Sequence, residues 1–244
     1  MSEPHRYFFV HMQKTAGTAL FQRLKLHLDR GSIYPPVEAA GTIAASLDVA
    51  MVERYFHEHR DHLRVITGHF PLCVADLLGV PFATFTVLRD PVERTLSFLR
   101  DNKTREPRAR EMSLDAIYSD PHLFHGLIHN HMVKMLSLSA TEMTHGTMTR
   151  VEFDAERLEL AKRNLAEKID VVGLQDHFED FCGELTRRYG FDLGPPRFAN
   201  RTEPRPVPDG LSERIAADNE LDVELYRFAQ RLCEERRNDE ALRA

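Results

Sequence analysis

Two short stretches carry residue types that grip anions. The first, HMQKTAGTAL at 11–20, places Lys14, Thr15, Ala16, Gly17 and Thr18 directly after an apolar run at 7–10. Small residues let a backbone approach a ligand closely. A helix opening at Gly17 would aim its first N–H groups, and its dipole, at an anion held there. Thr15 and Thr18 add hydroxyl donors, and Lys14 adds a full positive charge on a flexible stem. The order differs from GxxxxGK[ST], in which the lysine and the magnesium-binding hydroxyl follow the glycines. Nothing in the stretch is placed to hold Mg²⁺. A lysine at the loop entrance suits the bond between a bound anion and a group being transferred. The plainer alternative is a strand–helix turn with an exposed lysine.

The second stretch is FATFTVLRDPVERTLSF at 82–98. Asp90 is a natural N-cap, Pro91 suits the first helical position, and Glu93 completes a capping box. Arg89 then lies at the end of a strand and Ser97 two turns into the following helix. A guanidinium fork and a hydroxyl converging there suit a second phosphate. Arg89 could instead make a structural ion pair with Asp90 or Glu93. Arg94, one position off the Ser97 face, is the better candidate for that structural role. Two anion sites without a magnesium ligand point to a nucleotide with two separate phosphate-bearing ends.

Histidine supplies the remaining chemistry. His69 follows an apolar run and Gly68, so it should project at the same sheet edge as both loops. Its near-neutral pKa suits a general base. A separate cluster holds His122, His125, His129 and His131, with His57 and His59 upstream. His125 and His129 would share a helix face and could chelate a metal. No HExxH occurs and the nearest carboxylates are Asp115 and Asp120, so no metal site is expected. His129 or His131 could instead line an acceptor pocket.

These residues need a frame. Strands are expected at 7–11, 64–67, 82–88 and 170–173, as near-continuous apolar runs of the kind buried on both faces of a parallel sheet. Helices are expected at about 17–28, 46–62, 91–103, 123–138, 155–168, 175–189 and 211–237. The stretches 102–113 and 192–210 read as loops; the second is proline-rich and could fold over a site. Alternating strands and helices give an α/β sheet in one domain spanning 1–244. Both anion loops then sit at the C-terminal ends of strands, where open α/β sheets bind ligands. Among the 244 residues, a net charge of −6 argues against nucleic acid as a partner. The three cysteines form no CxxC pair, which fits a reducing compartment. The first apolar run is too short for a signal peptide or an integral membrane segment, so a cytoplasmic protein is expected.

With both motifs in view, HMQKTAGTAL resembles the 5′-phosphosulfate loop of sulfotransferases that use 3′-phosphoadenosine 5′-phosphosulfate (PAPS). TVLRDPVERTLSFL is similar to their 3′-phosphate motif. The resemblance is to the carbohydrate sulfotransferase branch related to heparan sulfate 2-O-sulfotransferase. Gly68-His69, IHNHMVKML at 128–136 and VVGLQDHFEDF at 171–181 extend it over most of the chain. It implies a P-loop-like α/β domain with a central parallel sheet flanked by helices, and transfer of a sulfuryl group with PAPS as co-substrate and no metal. It places Lys14, Thr15, Ala16, Gly17 and Thr18 around the 5′-phosphosulfate, and Arg89 and Ser97 on the 3′-phosphate. Arg201, within Asn200-Arg201-Thr202, falls where a loop closes over the nucleotide. His69 takes the place of the family's base. The implied acceptor is a hydroxyl of a glycan or a small hydroxylated metabolite, although an acidic chain disfavours a long sulfated polymer. A nucleotide kinase and a non-catalytic nucleotide-binding protein are the alternatives. Oligomeric state is not readable from the sequence.

Overall fold

The computed structural model describes residues 6–36, 39, 42–195 and 207–243. Its centre is a five-stranded sheet ordered β2-β3-β1-β4-β5, with β1 Tyr7–Val10, β2 Ile33–Tyr34, β3 Val65–Ile66, β4 Ala83–Leu88 and β5 Val171–Leu174. Every neighbouring pair is parallel. The helices in chain order are α1 Gly17–His27, α2 Ile43–Leu47, α3 Val49–His59, α4 Cys73–Leu77, α5 Pro91–Arg105 and α6 Leu114–Tyr118. They continue with α7 Pro121–Leu123, α8 His131–Ser137, α9 Ala155–Glu167, α10 Phe178–Tyr189, α11 Leu211–Asp218 and α12 Glu220–Arg243.

β1 is buried along its whole length because it feeds a core on each face. Phe8 and Val10 join Phe56 of α3, Leu136 of α8 and Leu165 of α9 on one side. Tyr7 and Phe9 join Leu20 and Leu24 of α1 and Phe181 and Leu185 of α10 on the other. That two-sided burial explains a continuous apolar run in place of an alternating one. From β1 the chain crosses to β2, and from β4 to β5, at opposite edges of the sheet. The crevice between the C-terminal ends of β1 and β4 is therefore a topological switch point, the place where such sheets bind ligands.

Several expected boundaries move. The helix expected at 46–62 is divided, because Asp48 caps a new start by accepting from Met51 N at 3.2 Å. The helix expected at 123–138 is broken into α7, a π-turn at Phe124–Ile128 and α8, with Asn130 left-handed at φ 43° between the last two. The helix expected at 211–237 divides at Asn219, which donates to Ile215 O at 2.8 Å and so ends α11. The expected loop at 102–113 is partly helical, since α5 continues to Arg105. β2, α4 and α6 were not expected; each has at most five residues, too few to show a period. Of the 192–210 stretch, 196–206 lie outside the described residues, and Arg201 with them. Among the described residues no helix is long and apolar enough to cross a membrane.

Candidate active site

The chain leaves β1 through His11 and Met12 and turns into α1 with two residues in the left-handed region, Lys14 at φ 66° and Ala16 at φ 71°. Neither is glycine, so each stores roughly 1–3 kcal/mol of backbone strain. The gain is a run of free donors. Among the described residues, the amide N–H groups of 13–18 have no hydrogen-bond acceptor. Donors gathered at a helix start form a ready anion site. The Thr15 hydroxyl does not face outward: it is buried and donates to Met12 O at 2.9 Å, bracing the turn from beneath. Thr18 is exposed at the second position of α1.

The loop is gripped from both sides. Arg89, just past β4, donates from Nη1 to Lys14 O at 3.2 Å and also meets Glu93 at 3.5 Å. Its Nε is buried and has no hydrogen-bond partner among the described residues. Half of the expected capping box forms: Asp90 Oδ1 accepts from Glu93 N at 3.0 Å, while the Glu93 carboxylate meets Arg89 at 3.5 Å. Two turns into α5, Ser97 is half-buried and its hydroxyl makes no hydrogen bond among the described residues. One further turn along, Asp101 Oδ1 stands 3.4 Å from Lys14 Nζ.

His69 reaches the same segment from β3. Gly68 makes the turn at φ 140°, and His69 Nδ1 lies 2.9 Å from His11 O. A carbonyl only accepts, so neutral His69 carries its proton on Nδ1 and keeps the Nε2 lone pair available. The rings of His69 and His11 are 4.4 Å apart. Burial lowers the pKa of His69, against the raising effect of its bond to His11 O. Burial also holds His11 well below the ordinary histidine value, helped by His69 and Lys14. His11 escaped the sequence reading; its only signal was its place at the mouth of the loop. Its ring stacks on Phe9 and occupies the space beside Gly17, where an added Cβ would stand 2.0 Å from the imidazole. Gly17→Ala is therefore expected to cost about 1–3 kcal/mol through overpacking, read as a lower urea midpoint at constant slope.

Arg94 does not make the expected ion pair with a nearby acid. It is fully buried and donates from Nη2 to Leu127 O at 3.0 Å and Ile128 O at 3.3 Å. Lys134 Nζ takes the neighbouring carbonyls, His125 O at 3.0 Å and Gly126 O at 2.6 Å. The π-turn is thus held by two cations. Asp222 balances them and caps α8, accepting from Met132 N at 3.0 Å and Val133 N at 2.8 Å. His131 is buried with neither ring nitrogen partnered, and His69 is among the charges it feels. His125 on the π-turn and His129 just past it are half-buried, with His129 stacked on Phe124 at 5.0 Å. Among the described residues no group of three or more His, Cys, Asp or Glu side chains is placed to hold a metal.

The histidines of this region set a pH dependence. Burial lowers the pKa of His11, His69 and His131 alike, so the unfolded chain binds protons more readily than the folded one below the ordinary value. Stability is then complete above about pH 6.5 and falls as the pH drops through that value. Asp222, raised to about 6 mainly by burial, acts in the opposite sense below that pH. His125 and His129 are lowered in the same way, so five histidines outweigh one aspartate, and urea midpoints are expected to fall from pH 7 to pH 5.5.

No family model matches the chain, and no curated protein matches it. Among solved structures it is similar to the crystal structure of a sulfotransferase from Alicyclobacillus acidocaldarius. The two are 17% identical, the match covers 92% of this chain and 97% of that one, and the TM-score is 0.44.

Proposed function

We propose that this protein transfers a sulfuryl group from PAPS to an acceptor hydroxyl, on a glycan or a small hydroxylated metabolite. One observation carries the reading. Arg89 and His69, from two different strand ends, both touch the short segment 11–14 that leads into the run of unpartnered amides. An anion loop, a second cation and a neutral base thus meet at one switch point.

The residues fit the donor. The amides of 13–18 would take the 5′-phosphosulfate with Lys14, and Arg89 with Ser97 would take the 3′-phosphate. PAPS supplies a sulfuryl group on a phosphate leaving group. The bond formed joins acceptor oxygen to sulfur, and the bond broken joins sulfur to the 5′-phosphate oxygen. The acceptor proton goes to His69 Nε2. Lys14 and the loop amides stabilise charge growing on the leaving oxygen. This is positioning and electrostatics more than covalent work.

Calorimetry and transfer assays test it together. 3′-Phosphoadenosine 5′-phosphate should bind without Mg²⁺ and ATP should bind poorly; the reverse would favour a kinase. Labelled sulfate should pass from PAPS to at least one member of a panel of glycans and hydroxylated metabolites. His69→Ala should keep nucleotide affinity and lose roughly a hundredfold or more in turnover. Full turnover in that variant would remove His69 as the base.

A further inference from the structure

We propose that Asp101 is a positioning residue that holds Lys14 in line with the anion loop. The inference rests on the sulfotransferase reading and adds a residue to it. Lys14 is held at both ends by the α5 segment. Arg89, just before α5, takes its carbonyl at 3.2 Å, and Asp101, in the third turn, stands 3.4 Å from its ammonium. The main chain between these contacts is left-handed, so the backbone does not by itself fix where a long flexible stem points.

Asp101 lies one turn beyond Ser97, so helical spacing puts both on one face of α5. Its carboxylate is further steadied by Arg105 Nε at 2.9 Å, one more turn along. Lys14 and Asp101 are 27% and 33% exposed, so the pair adds little to stability. Its effect is on direction and on charge. A carboxylate beside a site for a multiply charged nucleotide weakens donor binding. It is useful there only if the orientation it gives Lys14 raises the rate.

This yields opposite signs for binding and turnover. Asp101→Asn keeps the shape and removes the charge. It should bind 3′-phosphoadenosine 5′-phosphate several-fold more tightly, because a repelling charge is gone. It should turn over roughly ten- to a hundredfold more slowly, because the lysine is no longer held in line. Asp101→Glu should recover part of the rate. In the nucleotide-free protein, labelling by an amine-reactive reagent followed by peptide mass spectrometry should find Lys14 more reactive in Asp101→Asn.

Asp101→Asn matching the wild type in affinity and turnover would overturn the role. So would a loss of both that Asp101→Glu leaves unrepaired, the pattern of general damage. Unchanged Lys14 reactivity would deny the tether itself. A wild-type protein that binds no nucleotide would sink the sulfotransferase reading, whereas a working wild type beside an indifferent Asp101→Asn sinks only Asp101.

Discussion

Lys14→Ala is expected to lower turnover by about a hundredfold or more, the loss of ~2.7–4 kcal/mol that follows removal of one preorganised donor from developing charge. The loss should fall mainly on turnover. In the proposed mechanism ground-state binding would be shared among the amides of 13–18, Arg89 and Ser97, whereas charge on the leaving oxygen would grow only in the transition state. The fold should survive. Alanine at φ 66° carries the same left-handed cost as lysine, since both have a Cβ. The Lys14–Asp101 pair is partly exposed, and such pairs contribute about 0–1 kcal/mol. Single-turnover kinetics beside a urea titration checks both halves. Wild-type transfer by a folded Lys14→Ala protein would remove the lysine from the chemistry.

Asp222→Ala should have the largest effect on stability. Asp222 is buried, accepts from two amides at the start of α8, and is the carboxylate that balances Arg94 and Lys134. Its loss leaves two amides unpaired and two buried cations uncompensated. Removing one member of a buried charged group typically costs about 3–5 kcal/mol. Domains of this kind have roughly 5–15 kcal/mol in all, so the variant should lose a large share of its stability. Asp222→Asn keeps one acceptor oxygen and should lose less. Urea midpoints of the three proteins give the order; an Asp222→Ala midpoint equal to the wild type would show that the cations are balanced in some other way.

Part of this site was legible as local chemistry. The N-cap at Asp90, the buried run of β1 and the turn at 14–18 are each written within a few residues, and the structure has all three elements. What could not be read depends on residues distant in sequence. His11 matters because His69 packs on it from 58 positions away. The break at Asn130 is fixed by Asn219, whose Oδ1 accepts from Asn130 N at 2.8 Å. A helical pattern of apolar residues runs through 123–138 without marking that break. Arg94 lies near Asp90 and Glu93 in sequence, whereas its partners in the structure are carbonyls of the π-turn. The left-handed Lys14 and Ala16 run against propensity, which reserves such angles for glycine.

The all-parallel sheet has a consequence for the order of events in folding. No strand pairs with its neighbour in sequence through a tight hairpin, and the contact that fixes Lys14 O comes from 75 residues downstream. Chains dominated by such non-local contacts close long loops before they gain from them, and fold slowly. A nascent chain that has made β1 and α1 but not β4 has the Thr15–Met12 bond within the turn, but not Arg89 on Lys14 O, to hold two strained residues in the left-handed region. The anion loop is therefore not a motif that folds and then recruits its partners. Its shape is completed only when β4 brings Arg89 onto Lys14 O, so a ribosome-stalled fragment ending before β4 should bind no nucleotide.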